Sequence, residues 1–275
     1  MKAIISHDID HITVWEHLFR DTILPKYLAR MHIELFKGKI SLREYTLRWS
    51  DFFKNKWQNI DELVTFNNIY GVPSSFFIAV SKGVGLNYGN EAALLWIEQM
   101  KSRHCELGLH GIAYNNPENM KMEHQLFLEM TGQTSCGIRM HYVRNTADTY
   151  QVLNENGYRY DSTEHAFINP YKIGNMWEFP FQIMDGWVIE NHKSWQSLNL
   201  AKAKENTLRL IEKAHAANLE FLGIDFHDRY FSHSFSTWLN WYMWLIDHLK
   251  SSGIPFVNFS EAISLLESKE QEHGK

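Results

Sequence analysis

Cysteine is scarce in this chain: two among 275 residues, Cys105 and Cys136. A disulfide-stapled scaffold is thereby excluded, and both thiols are expected to be buried on strands. Long apolar runs are also missing. No stretch approaches the length needed to span a bilayer, and Met1-Lys2 leads straight into an apolar strand with no leader pattern. A soluble, cytoplasmic protein is expected. Basic charge is in deficit too: 27 Lys and Arg against 32 Asp and Glu give −5, which argues against general nucleic-acid binding. No repeat, linker or low-complexity segment divides the chain, so 1–275 reads as one domain, large enough to bury a substantial core. No glycine-rich phosphate turn follows the first strand, and Gly83-x-Gly85 lacks a GK[ST] ending, so it reads as a plain loop. Nothing in the sequence signals an oligomeric state.

What the chain has in quantity is aromatic rings (17 Phe, 12 Tyr and 10 Trp) and a regular alternation of elements. Lys2-Ala3-Ile4-Ile5 reads as a short buried strand. Residues 12 to about 60 then carry apolar positions at uneven helical spacing, from Trp15, Leu18 and Phe19 to Trp49 and Phe52-Phe53. From 60 onward the pattern predicts helices over 60–70, 91–101, 117–130, 146–156, 200–217, 236–249 and 261–266. Strands are predicted over 75–80, 105–109, 136–140, 158–161, 178–181, 219–226 and 254–259, with a charged tail from about 268. Strands alternating with helices imply a parallel sheet with helices outside, and seven or eight such units imply a closed or nearly closed barrel.

Polar residues gather where these strands end. Ser6-His7-Asp8-Ile9-Asp10-His11 places two carboxylates on one side of a strand end, where ionised acids this close need a cation or a shared proton. His110 follows Cys-Glu-Leu-Gly-Leu. Arg139, His141 and Tyr142 close Gly-Ile-Arg-Met-His-Tyr. Asp185 lies beyond Trp-Glu-Phe-Pro-Phe-Gln-Ile-Met, and His227 ends Phe-Leu-Gly-Ile-Asp-Phe. In a parallel barrel those ends share one face, so the residues converge on one pocket.

The ordered set resembles the polysaccharide deacetylase family, the NodB-homology barrels that remove N-acetyl groups from sugars. Asp8-Ile9-Asp10 is similar to the family's first motif and Glu106-Leu107-Gly108-Leu109-His110 to its second. Gly137 through Tyr142 resembles the third, with His141 where proline is usual. Glu178-Phe179-Pro180 through Asp185 resembles the fourth, and Phe226-His227-Asp228-Arg229-Tyr230-Phe231 the fifth. The resemblance implies a NodB-like irregular (β/α)7 barrel, here with a helical insert over about 12–58. It implies an N-acylated sugar or glycan as substrate, or an amide outside the sugars, since related barrels cut cyclic ureides. It assigns Asp8 as base, His227 as general acid, Arg139 to orienting Asp8 and Asp185 to tuning His227. Asp10 and His110 would hold a divalent metal, zinc above others given mixed oxygen and nitrogen donors. An ordinary ion pair for Arg139 and a solvated loop acid for Asp185 are the plainer alternatives.

Two departures stand out. The family's second motif supplies another histidine four residues after the first, and here that position is Tyr114. Either another residue completes the metal site, or the metal is loosely held, or catalysis has been lost and a carbohydrate-binding barrel remains. Arg139 and His141 share a strand face, so a pocket-facing Arg139 carries His141 with it, which makes His141 the candidate third ligand. The insert is the other departure. Between His11 and Asn59 it holds nine Lys or Arg against five Asp or Glu, and Arg20, Arg30, Arg43 and Arg48 are candidates to meet an anionic group on the substrate. A solvated helix face is the alternative. Tyr114, Tyr142, Trp177 and Trp187 are candidates for substrate contact, the two tryptophans by stacking on a sugar ring. Trp238, Trp241 and Trp244 recur at helical spacing and read as packing.

Overall fold

The computed structural model describes residues 1–273. Its first strand, β1 (Lys2–Ile9), sets the plan. Side chains on a strand alternate, so Ile4, Ser6 and Asp8 turn to one face and Ala3, Ile5, His7 and Ile9 to the other. Ile4 joins an inner cluster with Phe77, Tyr160, Phe179 and Phe221, while Ala3, Ile5 and Ile9 join a larger one shared with the helices.

The insert follows as α1 (Ile23–Phe36) and α2 (Leu42–Phe53), then α3 (Ile60–Tyr70) leads to β2 (Ser75–Ile78). The alternation continues through α4 (Asn90–Ser102), β3 (Glu106–Gly111), α5 (Pro117–Thr131), β4 (Gly137–Met140), α6 (Thr149–Glu155) and β5 (Tyr160–Asp161). Three short strands, β6 (Tyr171–Ile173), β7 (Met176–Glu178) and β8 (Ile183–Met184), precede α7 (Asp185–Glu190) and α8 (Leu200–Ala216). The chain finishes with β9 (Phe221–Asp225), α9 (Ser236–Ser251), β10 (Phe256–Val257) and α10 (Phe259–His273). The strand order is β6-β7-β5-β4-β3-β2-β1-β9-β8, with β10 beside β1. Every pairing is parallel except β6 with β7. The result is a curled α/β sheet with helices outside, as the alternation predicts.

The inner face is close-packed because two glycines leave room for rings. A Cβ on Gly108 would lie 2.5 Å from the Phe77 ring, and one on Gly137 only 2.0 Å from that of Tyr160. Phe259, Ala262 and Ile263 of α10 join this inner cluster. Glu106 caps α10 from β3: its carboxylate accepts the Phe259 and Ser260 N–H groups at 2.9 Å each, a favourable place for negative charge. Trp238 and Trp241 are fully buried on α9 and serve packing, as their spacing indicates.

Several expectations need correcting. Cys136 is buried and Cys105 half-buried, but each sits just before its strand rather than on it. β6, β8 and α7 lie in a region whose sequence gives short, irregular signals. The tail expected from about 268 is helical through His273, and 274–275 lie outside the described residues. Arg48 does not face a substrate. It is fully buried, bonded to Glu34 of α1 and donating to the Ser234 carbonyl at 2.8 Å. Arg30 is likewise engaged, with Glu34 at 2.8 Å and Glu190 at 2.7 Å. Arg20 and Arg43 are exposed. Among the described residues, no helix is long and apolar enough to cross a membrane.

Candidate active site

Period-two alternation along β1, β3, β4 and β9 brings inward residues together at the ends of four strands. Above the apolar inner cluster lie Asp8, Arg139 and Asp225, and beyond them Asp10, His110, His141 and His227. The Arg139 guanidinium is fully engaged: Nη1 donates to Asp8 Oδ1 at 3.0 Å and to Asp225 Oδ1 at 2.9 Å. Its Nε and Nη2 donate to the Ser162 carbonyl and hydroxyl, and the group stacks 4.6 Å from the Phe77 ring centroid. Burial opposes ionisation of Asp8, but Arg139, with His110 and His227, holds its pKa below the usual carboxylate value. Asp225 lacks that balance. Burial and the neighbouring Asp8 push it up to about 7.

A triangle of donor atoms comes next. Asp10 Oδ1 lies 3.3 Å from His110 Nε2 and 3.2 Å from His141 Nδ1, and the two ring nitrogens are 3.0 Å apart. Each imidazole commits its other nitrogen to a backbone carbonyl, His110 Nδ1 to Arg139 at 3.0 Å and His141 Nε2 to Val84 at 3.2 Å. Those bonds assign the N–H to the far side of each ring and leave two lone pairs facing a carboxylate oxygen. Asp10 Oδ1 is buried without a hydrogen-bond partner. Three acceptors at such distances repel unless a proton or a cation lies among them. Burial opposes the imidazolium, but Asp8 and Asp10 outweigh it and raise the His110 pKa, so His110 can carry that proton in the absence of an ion. Donors on a cation with bonds of about 2.0–2.2 Å stand about 2.9–3.5 Å apart, so the triangle fits a zinc-like ion.

His227 faces this triangle across Asp10, its Nε2 lying 3.7 Å from Asp10 Oδ2. Asp185, fully buried at the start of α7, accepts the His227 ring Nδ1–H at 2.9 Å. Burial works against the imidazolium, but Asp185 and Asp225 outweigh it and raise the His227 pKa well above its ordinary value. The arrangement offers a carboxylate base, a metal-type donor set and an imidazolium acid around one space.

Other predicted residues fall in different places. His7 turns outward from β1 and bonds the Phe226 carbonyl and Asn67; burial lowers its pKa to about 3, so it is a neutral structural histidine. Tyr114 lies under the Arg144 guanidinium at 4.8 Å, and its carbonyl accepts the Thr149 hydroxyl. Tyr142 is 61% exposed, packs its ring 4.0 Å from His141, and is held at φ 58°. Trp177 corrects an expectation: it is buried with Phe179 under the Lys172 ammonium, so neither face is open to a sugar. Trp187 is partly exposed and packs on His165 and Phe181.

Two features escaped the sequence reading. Asp225 shares Arg139 with Asp8; its position two residues before His227 on one strand face was the available signal. The Gly83-x-Gly85 loop is more than a connection, since the Val84 carbonyl fixes the His141 tautomer. A Cβ on Gly85 would lie 2.5 Å from Ile23, so α1 of the insert rests on the loop that holds His141.

No family model matches the sequence, and no curated protein is significantly similar to it. Solved structures do match. A Mycobacterium smegmatis protein provisionally described as a polysaccharide deacetylase aligns at TM-score 0.63 and 14% identity, over 98% of this chain and 91% of that one. A Pseudomonas aeruginosa PAO1 protein with the same provisional description aligns at 0.61 and 17%, over 99% and 91%. The allantoinase Puue aligns at 0.60 and 15%, over 94% and 87%. At such identities the likeness is one of fold: the chain has the curled α/β fold of the polysaccharide deacetylases.

Proposed function

We propose that the chain is a metal-dependent hydrolase that removes an N-acyl group, acetyl above others, from a sugar or glycan. The observation that carries this reading is the donor triangle of Asp10, His110 and His141 standing between a carboxylate base and an imidazolium acid. Asp10, His110 and His141 would hold the ion, zinc by the mix of donors; once bound, a divalent metal polarises an acyl oxygen and lowers the pKa of water. Asp8, ionised and fixed by Arg139, takes a proton from the water that attacks the acyl carbon. His227, kept charged by Asp185, gives its proton to the amine nitrogen as the C–N bond breaks. Tyr142 and Trp187 are the exposed rings best placed to pack on a sugar.

The insert supports an anionic group on the substrate. Its exposed charged residues are all basic (Arg20, Lys26, Lys37, Lys39, Arg43 and Lys54), whereas its five acids are buried or half-buried. A second reading, hydrolysis of a non-sugar amide, draws on the similar fold of the allantoinase. Zinc-loaded protein should release acetate from at least one member of a panel of N-acetylated sugars and nucleotide sugars. Turnover of a cyclic ureide alone would favour the second reading, and no turnover of either class would favour the binding barrel.

A further inference from the structure

A second cluster of donors lies at the foot of the insert, formed by His11, Glu16 and His17. His17 is fully buried. Its Nδ1 is 2.7 Å from Asp21 Oδ2, and Asp21 is itself anchored by the Ile23 N–H and by Asn87. That bond places the His17 proton on Nδ1 and turns a lone pair on Nε2 toward Glu16 Oε1, 3.2 Å away. Glu16 is oriented by the Ile12 and Thr13 N–H groups and the Thr13 hydroxyl, all three of which donate to its carboxylate. His11 Nδ1 stands 3.9 Å from the same Glu16 oxygen. Both His17 Nε2 and His11 Nδ1 are buried without a hydrogen-bond partner. The three donor atoms lie within 4.8 Å of one another. Trp57 packs against both rings, at 5.4 and 5.0 Å.

We propose that His11, Glu16 and His17 form a second transition-metal site, structural in role, which ties the insert to the end of β1. It goes beyond the hydrolase reading and does not rest on it. Two imidazoles and one carboxylate suit zinc. A carboxylate behind one imidazole is the usual support of such a ligand. The open edges are wider than the roughly 3.3 Å of a tetrahedral set, so His11, the most accessible of the three, must swing inward on binding. The plain competitor is a protonated His17 bridging Asp21 and Glu16 with no ion. A metal here would join His11 at the end of β1 to the first turn of the insert, the segment from which α1 reaches the His141 loop.

Zinc retained after gel filtration should be measured for the wild type, His17→Gln, His11→Gln and His141→Ala. The wild type should keep about two ions per chain and each variant about one. Either His17→Gln or His11→Gln retaining as much zinc as the wild type overturns the site. In the His141→Ala background, where the second cluster is untouched, added zinc should still raise Tm, and no rise also overturns the site. Failure of the catalytic reading would look different: His141→Ala would then keep the wild-type zinc content while His17→Gln still lost one ion.

Discussion

Asp185 meets His227 twice. Its Oδ2 accepts the His227 backbone N–H at 3.0 Å and its Oδ1 accepts the ring Nδ1–H at 2.9 Å. One side chain thereby fixes both the position of the imidazole and the nitrogen left to face the pocket. His227→Ala should lower kcat by at least ~100-fold, within the range for a general acid. Asp185→Asn cannot accept both bonds at once and should lower kcat by ~10-fold or more, with the far-ultraviolet spectrum unchanged. Near-normal turnover in either variant would reject the assigned role.

Asp8 and Arg139 should separate activity from stability. Asp8→Asn leaves Arg139 paired with Asp225, so the fold should survive while turnover falls by ~100-fold or more. Arg139→Met strands two buried carboxylates, Asp8 and Asp225, and should cost about 3–5 kcal/mol of stability in a denaturant titration. An Arg139→Met protein as stable as the wild type would show the pair to be incidental.

The insert's arginines should divide by burial. Arg48→Ala removes one of two cations on buried Glu34, which keeps Arg30. It also strips the Ser234 carbonyl of its donor, so it should cost about 1–3 kcal/mol. Arg43→Ala, alone or with Arg20→Ala, should leave stability unchanged and raise KM for an anionic substrate with little change in kcat. Added salt should raise the wild-type KM in the same direction. A KM indifferent to both would assign the basic face to solvent.

Much of this site is legible in the sequence because strand register is a strict period of two. Once Arg139 faces the pocket, His141 must follow, and Asp8 brings Asp10. Burial of charge is less legible. Arg48 and Arg43 look alike at helical spacing, and only the tertiary partners Glu34 and Ser234 distinguish them. Trp177 beside the fourth motif suggested a sugar platform, but its ring turns into the inner core with Phe179. The Val84 carbonyl that fixes His141 belongs to no side-chain pattern, and Asp225 hides in an otherwise apolar strand.

A buried pair of acids outside the proposed catalytic set predicts a pH dependence of stability. Asp161 and Glu178 face each other across β5 and β7, both fully buried. Burial raises the pKa of each, and Asp161 adds to the rise of Glu178. Glu164, Tyr150 and Tyr171 lie around them, with Arg139 the nearby cation. An acid with a raised folded pKa binds its proton more tightly when folded. Its contribution is therefore full at low pH and lost as pH rises above the ordinary carboxylate range. Wild-type Tm should fall relative to that of Glu178→Gln as pH is raised from 5 to 8. Parallel curves would show that the pair does not share a proton.

The claim at the centre of this account is that His141 replaces the histidine missing at position 114. Anomalous diffraction at the zinc edge from zinc-soaked crystals tests it most directly. The account predicts a peak at about 2.0–2.2 Å from Asp10 Oδ1, His110 Nε2 and His141 Nδ1 together. A peak bonded to Tyr114, or one lying beyond the reach of His141, would contradict it.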